Sequence, residues 1–115
     1  MHNANFAMDL RVELQCQGVW HSAQTKILSR RGLIAICADP IPAGEMANVL
    51  LYIPLEDDFK LFKMRSQVSR STDLQGVFEI ELAITLFAPG DERKFNLWWQ
   101  TLVTQRGRKQ QWGIA

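Results

Sequence analysis

The chain has 115 residues with 13 basic and 12 acidic side chains, which gives a formal net charge of +1. This near-neutral balance provides no overall attraction to nucleic acids, anionic membranes or acidic substrates, so any such role must come from a local cluster. The hydrophobic fraction of 47% is ordinary for a globular protein, and the length suits a single domain with one packed core.

Neither a membrane span nor an export signal is visible. No apolar run reaches the roughly 18 residues that a spanning helix needs, and residues 1–9 lack the basic-then-apolar order of a signal peptide. We therefore expect a cytoplasmic protein without membrane insertion and with a flexible N-terminus over residues 1–9. In that compartment Cys16 and Cys37, which lie in stretches of alternating polarity, are predicted to be reduced and buried.

Alternation of apolar and polar residues with a period of two dominates the first three quarters of the chain. Apolar side chains at every second position from Leu10 to Cys16 predict a half-buried strand. Gly18 predicts a bend, residues 19–28 a more polar strand, and residues 33–37 a short apolar one.

The central part of the chain predicts a loop, a strand and a hairpin. Residues 39–44 contain two prolines and a glycine, which exclude a central strand. The continuously apolar run 49–53 predicts a strand that is covered on both faces or lies at a barrel corner. Alternation in residues 62–68 and again in 78–86, separated by turn residues 71–76, predicts an antiparallel hairpin.

The predicted hairpin implies a set of ion pairs. Lys63 and Arg65 alternate with the apolar residues of its first strand, and Glu79 and Glu81 do so on the second. We expect the basic residues to lie opposite or diagonal to the acidic ones, where each pair contributes about 0.2–1 kcal/mol and helps to fix the register.

The pattern changes to helical spacing near the C-terminus. Asp91 is a predicted N-cap, followed by a helix over about residues 92–104 that Gly107 ends. Residues 106–115 are predicted to form a basic tail. Five or six short strands and one C-terminal helix predict a mostly β fold, a small antiparallel barrel with the helix packed on its rim or open end.

No catalytic or metal-binding constellation is visible. His21 lies on a polar strand with no acid or nucleophile at a telling spacing, and the acidic run 56–58 is typical of a solvated turn. The sequence has neither a glycine-rich phosphate loop nor a nucleophile elbow. We therefore expect a protein that is not an enzyme and that holds neither a metal nor a cofactor.

Two clusters are candidates for binding. At the predicted turn of residues 29–32, the guanidinium groups of Arg30 and Arg31 could hold phosphates or stack on a base, although a solvated basic turn is the alternative. Trp98 and Trp99 are adjacent on the helix and point about 100° apart, so the pair is a candidate contact for a protein partner. The alternative is that both tryptophans wrap the rim of the barrel.

A nucleic-acid-binding barrel of the OB or SH3-like kind is a further alternative. It would use Arg30, Arg31 and the basic residues 106–109 as a phosphate track. Such barrels place aromatic side chains on an exposed sheet face. Here the alternation predicts that Phe62 and Phe78 point into the core instead. The near-neutral charge also disfavours this function.

Residues 10–104 carry, in order, a set of motifs that resembles the PilZ domain family. The stretch 25–34 resembles the family's Asp/Asn-x-Ser-x-x-Gly motif and the apolar strand that follows it. The stretch 42–54 resembles its proline-glycine turn and apolar strand ending in proline, and residues 67–70 resemble its valine-arginine strand end. The resemblance implies a bacterial six-stranded antiparallel β-barrel with a closing helix.

The resemblance also implies a ligand site. Many PilZ domains bind cyclic di-GMP through this motif and through an Arg-x-x-x-Arg motif before the first strand. In this chain Ala7 stands at the place of the first arginine of that pair, and Ile27 stands at the Asp/Asn position. The candidate ligand residues that remain are Arg11, Ser29, Arg30, Arg31 and Gly32.

The function that the resemblance implies is a signalling adaptor in cyclic di-GMP-linked regulation of motility, surface attachment or secretion. Because half of each ligand motif is missing, we expect weak or absent dinucleotide binding and action through contacts with a protein partner. A genuine cyclic di-GMP-binding effector is the alternative, and self-association stays open.

Overall fold

Seven strands and one helix make up the described part of the chain. The structure is a computed structural model that describes residues 5–113, with side chains described as far as residue 105. The strands are β1 (Asn5–Ala7), β2 (Arg11–Cys16), β3 (Val19–Ser29), β4 (Gly32–Cys37), β5 (Met46–Pro54), β6 (Phe59–Asp73) and β7 (Phe78–Phe87), and the helix is α1 (Asp91–Gly113). Among the described residues, no helix has the length and apolarity of a membrane span.

Six of the strands close into an antiparallel barrel. In spatial order they run β3-β2-β5-β6-β7-β4, and β4 pairs again with β3 to complete the ring. The short strand β1 is an addition to this ring, paired with the end of β3. The predicted fold class, a mostly β, six-stranded antiparallel barrel with one C-terminal helix, is confirmed.

The barrel core follows from the alternation of side chains along each strand. Val12 and Leu14 of β2 are fully buried, and Cys16 follows them on the same face. Cys37 is buried in the same way at the end of β4, so both cysteines are buried as the alternation predicts. Full burial of an aliphatic side chain contributes about 1.5–3 kcal/mol. The inward-facing residues of the strands are therefore a main source of stability.

Helix α1 caps one end of the barrel through aromatic contacts. Phe95 is fully buried and meets Phe62 of β6 edge to face, with 5.3 Å between the ring centroids. Asp91, the predicted N-cap, is the first residue of the helix, and its Oδ2 accepts a hydrogen bond of 2.8 Å from the backbone amide of Lys63. This carboxylate therefore ties the start of the helix to β6.

The pairing of β6 with β7 differs from the predicted one, because β6 continues to residue 73 and the turn begins only there. Glu81 is opposite Arg70, with 3.4 Å between Glu81 Oε2 and Arg70 Nε. Glu79 forms its ion pair with a lysine of β3 instead. The prediction that Lys63 and Arg65 pair with these two glutamates is therefore wrong, since the longer strand shifts the register.

The N-terminal segment is held to the barrel. Residues 5–7 form β1, which pairs with the last three residues of β3, and the Met8 amide donates to the Lys26 carbonyl at 3.2 Å. Part of the segment 1–9, for which the sequence predicts a flexible terminus, is thus paired with the barrel, because β3 extends beyond the start of β2 and offers it a pairing edge. Residues 1–4 lie outside the described residues.

The helix is longer than predicted. It continues past Gly107 to Gly113 instead of ending near residue 104. An interior glycine costs only about 1 kcal/mol relative to alanine, so a single glycine does not by itself end a helix. The side chains of the predicted basic tail, residues 106–115, lie outside the described part of the chain.

Candidate functional site

The turn between β3 and β4 is held by its own hydrogen bonds. Ser29 Oγ donates to the carbonyl oxygen of Gly32 at 3.0 Å, which closes the turn on itself. The carbonyl oxygen of Arg31 accepts a hydrogen bond of 2.8 Å from the amide of Ile84, which fixes the turn to the end of β7. The Ser29 hydroxyl therefore sets the shape of the turn in this structure.

Gly32 is required by the close approach of two strands. A Cβ atom at Gly32 would lie 2.5 Å from the backbone oxygen of Leu82, well inside contact distance. The glycine that the resemblance assigns to a ligand motif thus allows the backbone of β4 to pack against that of β7.

Arg30 and Arg31 extend from this turn beside the helix. Both are exposed, and neither forms an ion pair with another residue of the described chain. They line an open cleft of about 450 Å³, whose other wall is formed by residues 84–90 and by Glu92 and Asn96 of α1. The cleft presents two guanidinium groups against one carboxylate, and it therefore suits an anionic ligand or an acidic protein surface.

The structure does not bring Arg11 to this cleft. The partner of Arg11 on β3 is Gln24, five residues before Ser29, so the two positions are about 17 Å apart along the strand. The Arg11 guanidinium lies over the ring of Tyr52, 4.8 Å from its centroid, and 3.5 Å from a carboxylate oxygen of Glu13. Arg11 therefore belongs to a separate surface cluster.

The polar groups of this second cluster, which consists of Arg11, Glu13 and Tyr52, bind one another. The hydroxyl of Tyr52 donates to Glu13 Oε1 at 2.6 Å. The pKa of Tyr52 is raised, mainly by this hydrogen bond and further by burial and by the Glu13 charge, while the Arg11 charge opposes the shift. The Glu13 carboxylate thus has both a phenol and a guanidinium as partners.

The two positions that depart from the ligand motifs face each other. Ala7 of β1 is the direct cross-strand partner of Ile27 of β3. Such partners have Cβ atoms about 4.5–5.5 Å apart, so an arginine at one position and an acidic or amide side chain at the other would share one surface. In this chain both side chains are apolar, and they offer a guanine base neither a cation nor a hydrogen-bond acceptor.

The adjacent tryptophans have different environments. Trp99 is only 6% exposed and packs against Phe6 and Phe95, with ring centroids 5.2 and 6.2 Å away. It belongs to the core, so Trp99 is wrong as a partner-binding candidate. Trp98 is half-buried against Phe62 and Phe95, and part of its ring stays accessible. Leu97, which the sequence analysis did not single out, is 58% exposed on the same helix.

One contact at the opposite end of the barrel is absent from the sequence-based expectations. The sequence shows no acidic residue at a characteristic spacing from His21, and in the structure His21 Nδ1 lies 2.9 Å from Oδ2 of Asp39. The two residues are 18 positions apart, and the pairing of β3 with β4 brings them together. No short-range pattern in the sequence indicates this contact, because it depends on the pairing of β3 with β4 and on the bend after Cys37.

The fold is similar to those of two solved bacterial proteins. For the Bacillus subtilis inhibitor of motility MotI/DgrA, the TM-score is 0.75 at 18% sequence identity, over 95% of this chain and 52% of that one. For the PilZ domain of YcgR from Escherichia coli, solved with cyclic di-GMP, it is 0.64 at 10% identity, over 100% of this chain and 98% of that one.

These similarities are found by comparison of structures, at sequence identities of 18% and 10%. No protein-family model matches the sequence, and no curated protein does. The chain spans about half the length of MotI/DgrA but nearly the whole YcgR domain. With its closed barrel and capping helix, the chain folds as a PilZ-like domain.

Proposed function

We propose that this chain is a PilZ-like signalling adaptor of the bacterial cytoplasm, without enzymatic activity, that works through contacts with a protein partner and binds cyclic di-GMP weakly or not at all. The observation that carries the proposal is the pairing of Ala7 with Ile27. The fold is kept, whereas the surface where two polar ligand contacts would lie together is apolar.

The expected loss of affinity is large. A hydrogen bond to a charged partner contributes about 1.5–3 kcal/mol. The absence of one arginine and one acceptor therefore removes about 3–6 kcal/mol, and each 1.4 kcal/mol is a factor of ten in affinity. A loss of two to four powers of ten turns a micromolar binder into one that is not occupied at ordinary ligand concentrations.

The two similar structures support a role in cyclic di-GMP-linked regulation. The YcgR domain was solved with cyclic di-GMP, and MotI/DgrA is described as an inhibitor of motility. We therefore place this chain in cyclic di-GMP-linked regulation, with motility, surface attachment or secretion machinery as the regulated system. On the described surface, half-buried Trp98 and the exposed Leu97 beside it are the side chains we propose for the partner contact.

A second candidate function is a cyclic di-GMP effector, and the cleft beside the turn favours it. Arg30 and Arg31 have no ion-pair partner among the described residues and could replace the missing contacts. The nucleic-acid alternative has less support, because Phe62 is buried in the core and offers no stacking surface.

Calorimetric titration with cyclic di-GMP separates these functions. We expect no heat of binding from the wild type at high micromolar ligand. The variant Ala7→Arg/Ile27→Asp restores both polar positions on the β1–β3 surface and should gain measurable affinity. Both positions are at least partly exposed, so the barrel should tolerate the change.

The arginines of the turn provide the opposite test. If the wild type binds in the low micromolar range, and Arg30→Ala/Arg31→Ala abolishes binding, the chain is an effector and the adaptor proposal is wrong. The matched control is Arg93→Ala/Lys94→Ala, which removes the same charge from exposed positions of α1. It should leave any binding unchanged.

A further inference from the structure

Three side chains with metal-binding atoms converge at the barrel end that is remote from the helix. β3 and β4 pair with Ala23 opposite Cys37. β4 ends at Cys37, and residues 38–39 form the bend that follows it. This bend brings Asp39 to His21, which lies two residues before Ala23 on β3, with 2.9 Å between Asp39 Oδ2 and His21 Nδ1.

The distances confirm this convergence. A ring nitrogen of His21, the sulfur of Cys37 and a carboxylate oxygen of Asp39 all lie within 4.8 Å of one another. Ligand atoms around a tetrahedral zinc ion, with bonds of about 2.0–2.3 Å, lie about 3.3–3.6 Å apart. To meet this geometry, the 2.9 Å contact between His21 and Asp39 has to lengthen by a few tenths of an ångström. Any of the three distances that is near the 4.8 Å limit has to shorten by about an ångström.

The kind of donor selects the metal. One imidazole, one thiolate and one carboxylate form a mixed set that suits Zn²⁺, whereas Mg²⁺ and Ca²⁺ prefer oxygen ligands alone. We propose that His21, Cys37 and Asp39 form a zinc site with three protein ligands and a fourth position open to water.

The burial of the three residues agrees with an accessible site at the rim. The Cys37 sulfur comes from the core side, and its hydrogen bond to the Ser22 carbonyl is long, 3.8 Å. The His21 side chain is 15% exposed and that of Asp39 is 60% exposed. The ion would therefore enter from the solvent side, past Asp39, and meet the sulfur at the inner end.

A structural explanation competes with this proposal. The hydrogen bond between His21 and Asp39 could serve only to fasten the loop after β4, and Cys37 could be only a small buried side chain. The two explanations differ in one measurable property, which is whether the sulfur of Cys37 binds a metal ion.

Cobalt titration measures that property directly. Co²⁺ replaces Zn²⁺ in tetrahedral sites, and thiolate ligation produces a sulfur-to-cobalt charge-transfer band together with intense visible absorption. We expect these bands when the reduced, metal-free full chain is titrated with Co²⁺, and we expect one equivalent of Zn²⁺ to abolish them. Mg²⁺ in excess should leave them unchanged.

Four variants assign the ligands. Cys37→Ser should lose the charge-transfer band, whereas Cys16→Ser, which alters the other buried cysteine, should keep it. His21→Gln and Asp39→Asn should each weaken Co²⁺ binding by at least about tenfold, since even loss of a group that only orients a metal ligand costs 10–100-fold. Circular dichroism checks that each variant is folded, and the two polar variants alter positions outside the core.

Two results would overturn the proposal. The first is the absence of a charge-transfer band in the wild-type titration, which shows that the sulfur is not a ligand. The second is a band that persists in Cys37→Ser or in both His21→Gln and Asp39→Asn, which places the metal elsewhere in the chain.

Discussion

Thr25 joins the N-terminal segment to the barrel through one buried hydroxyl group. Its Oγ1 accepts a hydrogen bond of 2.8 Å from the Leu10 amide and donates one of 2.6 Å to the Met8 carbonyl. The side chain is almost completely buried, so these two backbone groups depend on it. This side chain, together with the backbone pairing of β1 with β3, fixes the segment that places Ala7 beside Ile27.

Replacement of this hydroxyl tests its contribution to stability. Thr25→Val keeps the shape of the side chain but leaves the Leu10 amide and the Met8 carbonyl without their partner. Since an unsatisfied buried polar group costs about 1–3 kcal/mol, we expect the free energy of unfolding to fall by about 2 kcal/mol in urea denaturation. Thr85→Val is the matched control, because the Thr85 hydroxyl donates to a backbone carbonyl but is exposed. Equal losses in the two variants would contradict the role of burial.

Helix α1 is anchored to the barrel by few side chains. Phe95 is fully buried among Phe62, Phe87, Trp98 and Trp99, with ring centroids between 5.1 and 6.2 Å away. The solvent-facing side of the helix makes no comparable contact among the described residues. The attachment of the capping helix to the barrel therefore depends mainly on Phe95 and on Trp99, which packs against Phe6.

Truncation of the anchor should be costly. Phe95→Ala removes a fully buried aromatic ring, and such changes lower the free energy of unfolding by about 3–5 kcal/mol. Leu97→Ala, two residues away on the exposed side, should change it by less than about 0.5 kcal/mol. Thermal unfolding followed by tryptophan fluorescence compares the two variants. A small effect of Phe95→Ala would show that the helix is held by other contacts.

The sequence predicts which strands and helices are present better than it predicts the residues at which they begin and end. The alternation in β2, the apolar run in β5 and the helical spacing in α1 are local properties, and each of these elements is present. The end of β6 was misplaced, because Ser71, Thr72 and Asp73 are typical turn residues and yet continue the pairing with β7. The partner strand decided their conformation, not their own preference.

The molecule as a whole depends on closure of the barrel, and β4 is the strand that closes it. β4 pairs with β3 on one side and with β7 on the other. At Gly32 the backbones of β4 and β7 approach so closely that no side chain fits between them. We call this contact between β4 and β7 the seam. Its Gly32 end lies beside the arginine cleft, and the other end of β4 lies next to the cluster of His21, Cys37 and Asp39.

A methyl group at the seam should weaken closure. In Gly32→Ala the new Cβ would meet the Leu82 carbonyl oxygen at 2.5 Å, so one strand must shift. Overpacking of this kind costs about 1–3 kcal/mol, which urea denaturation measures directly. Ala83→Ser, at the exposed partner of Gly32 on β7, should stay within about 0.5 kcal/mol of the wild type. An unchanged midpoint for Gly32→Ala would show that the seam adjusts without cost.

The sequence by itself determined the class of the fold and the residues of the core, because periodicity reports which side of a strand or helix is buried. It also indicated the turn with Arg30 and Arg31. Only the tertiary structure decided that Arg11 lies far from this turn and that Trp99 is buried.

The tertiary structure likewise decided that Ala7 faces Ile27 and that His21 meets Asp39. The physical reason is that these contacts depend on which strands pair and in what register. Register is set by strand lengths and turn positions across the whole barrel, and no local stretch of sequence contains that information.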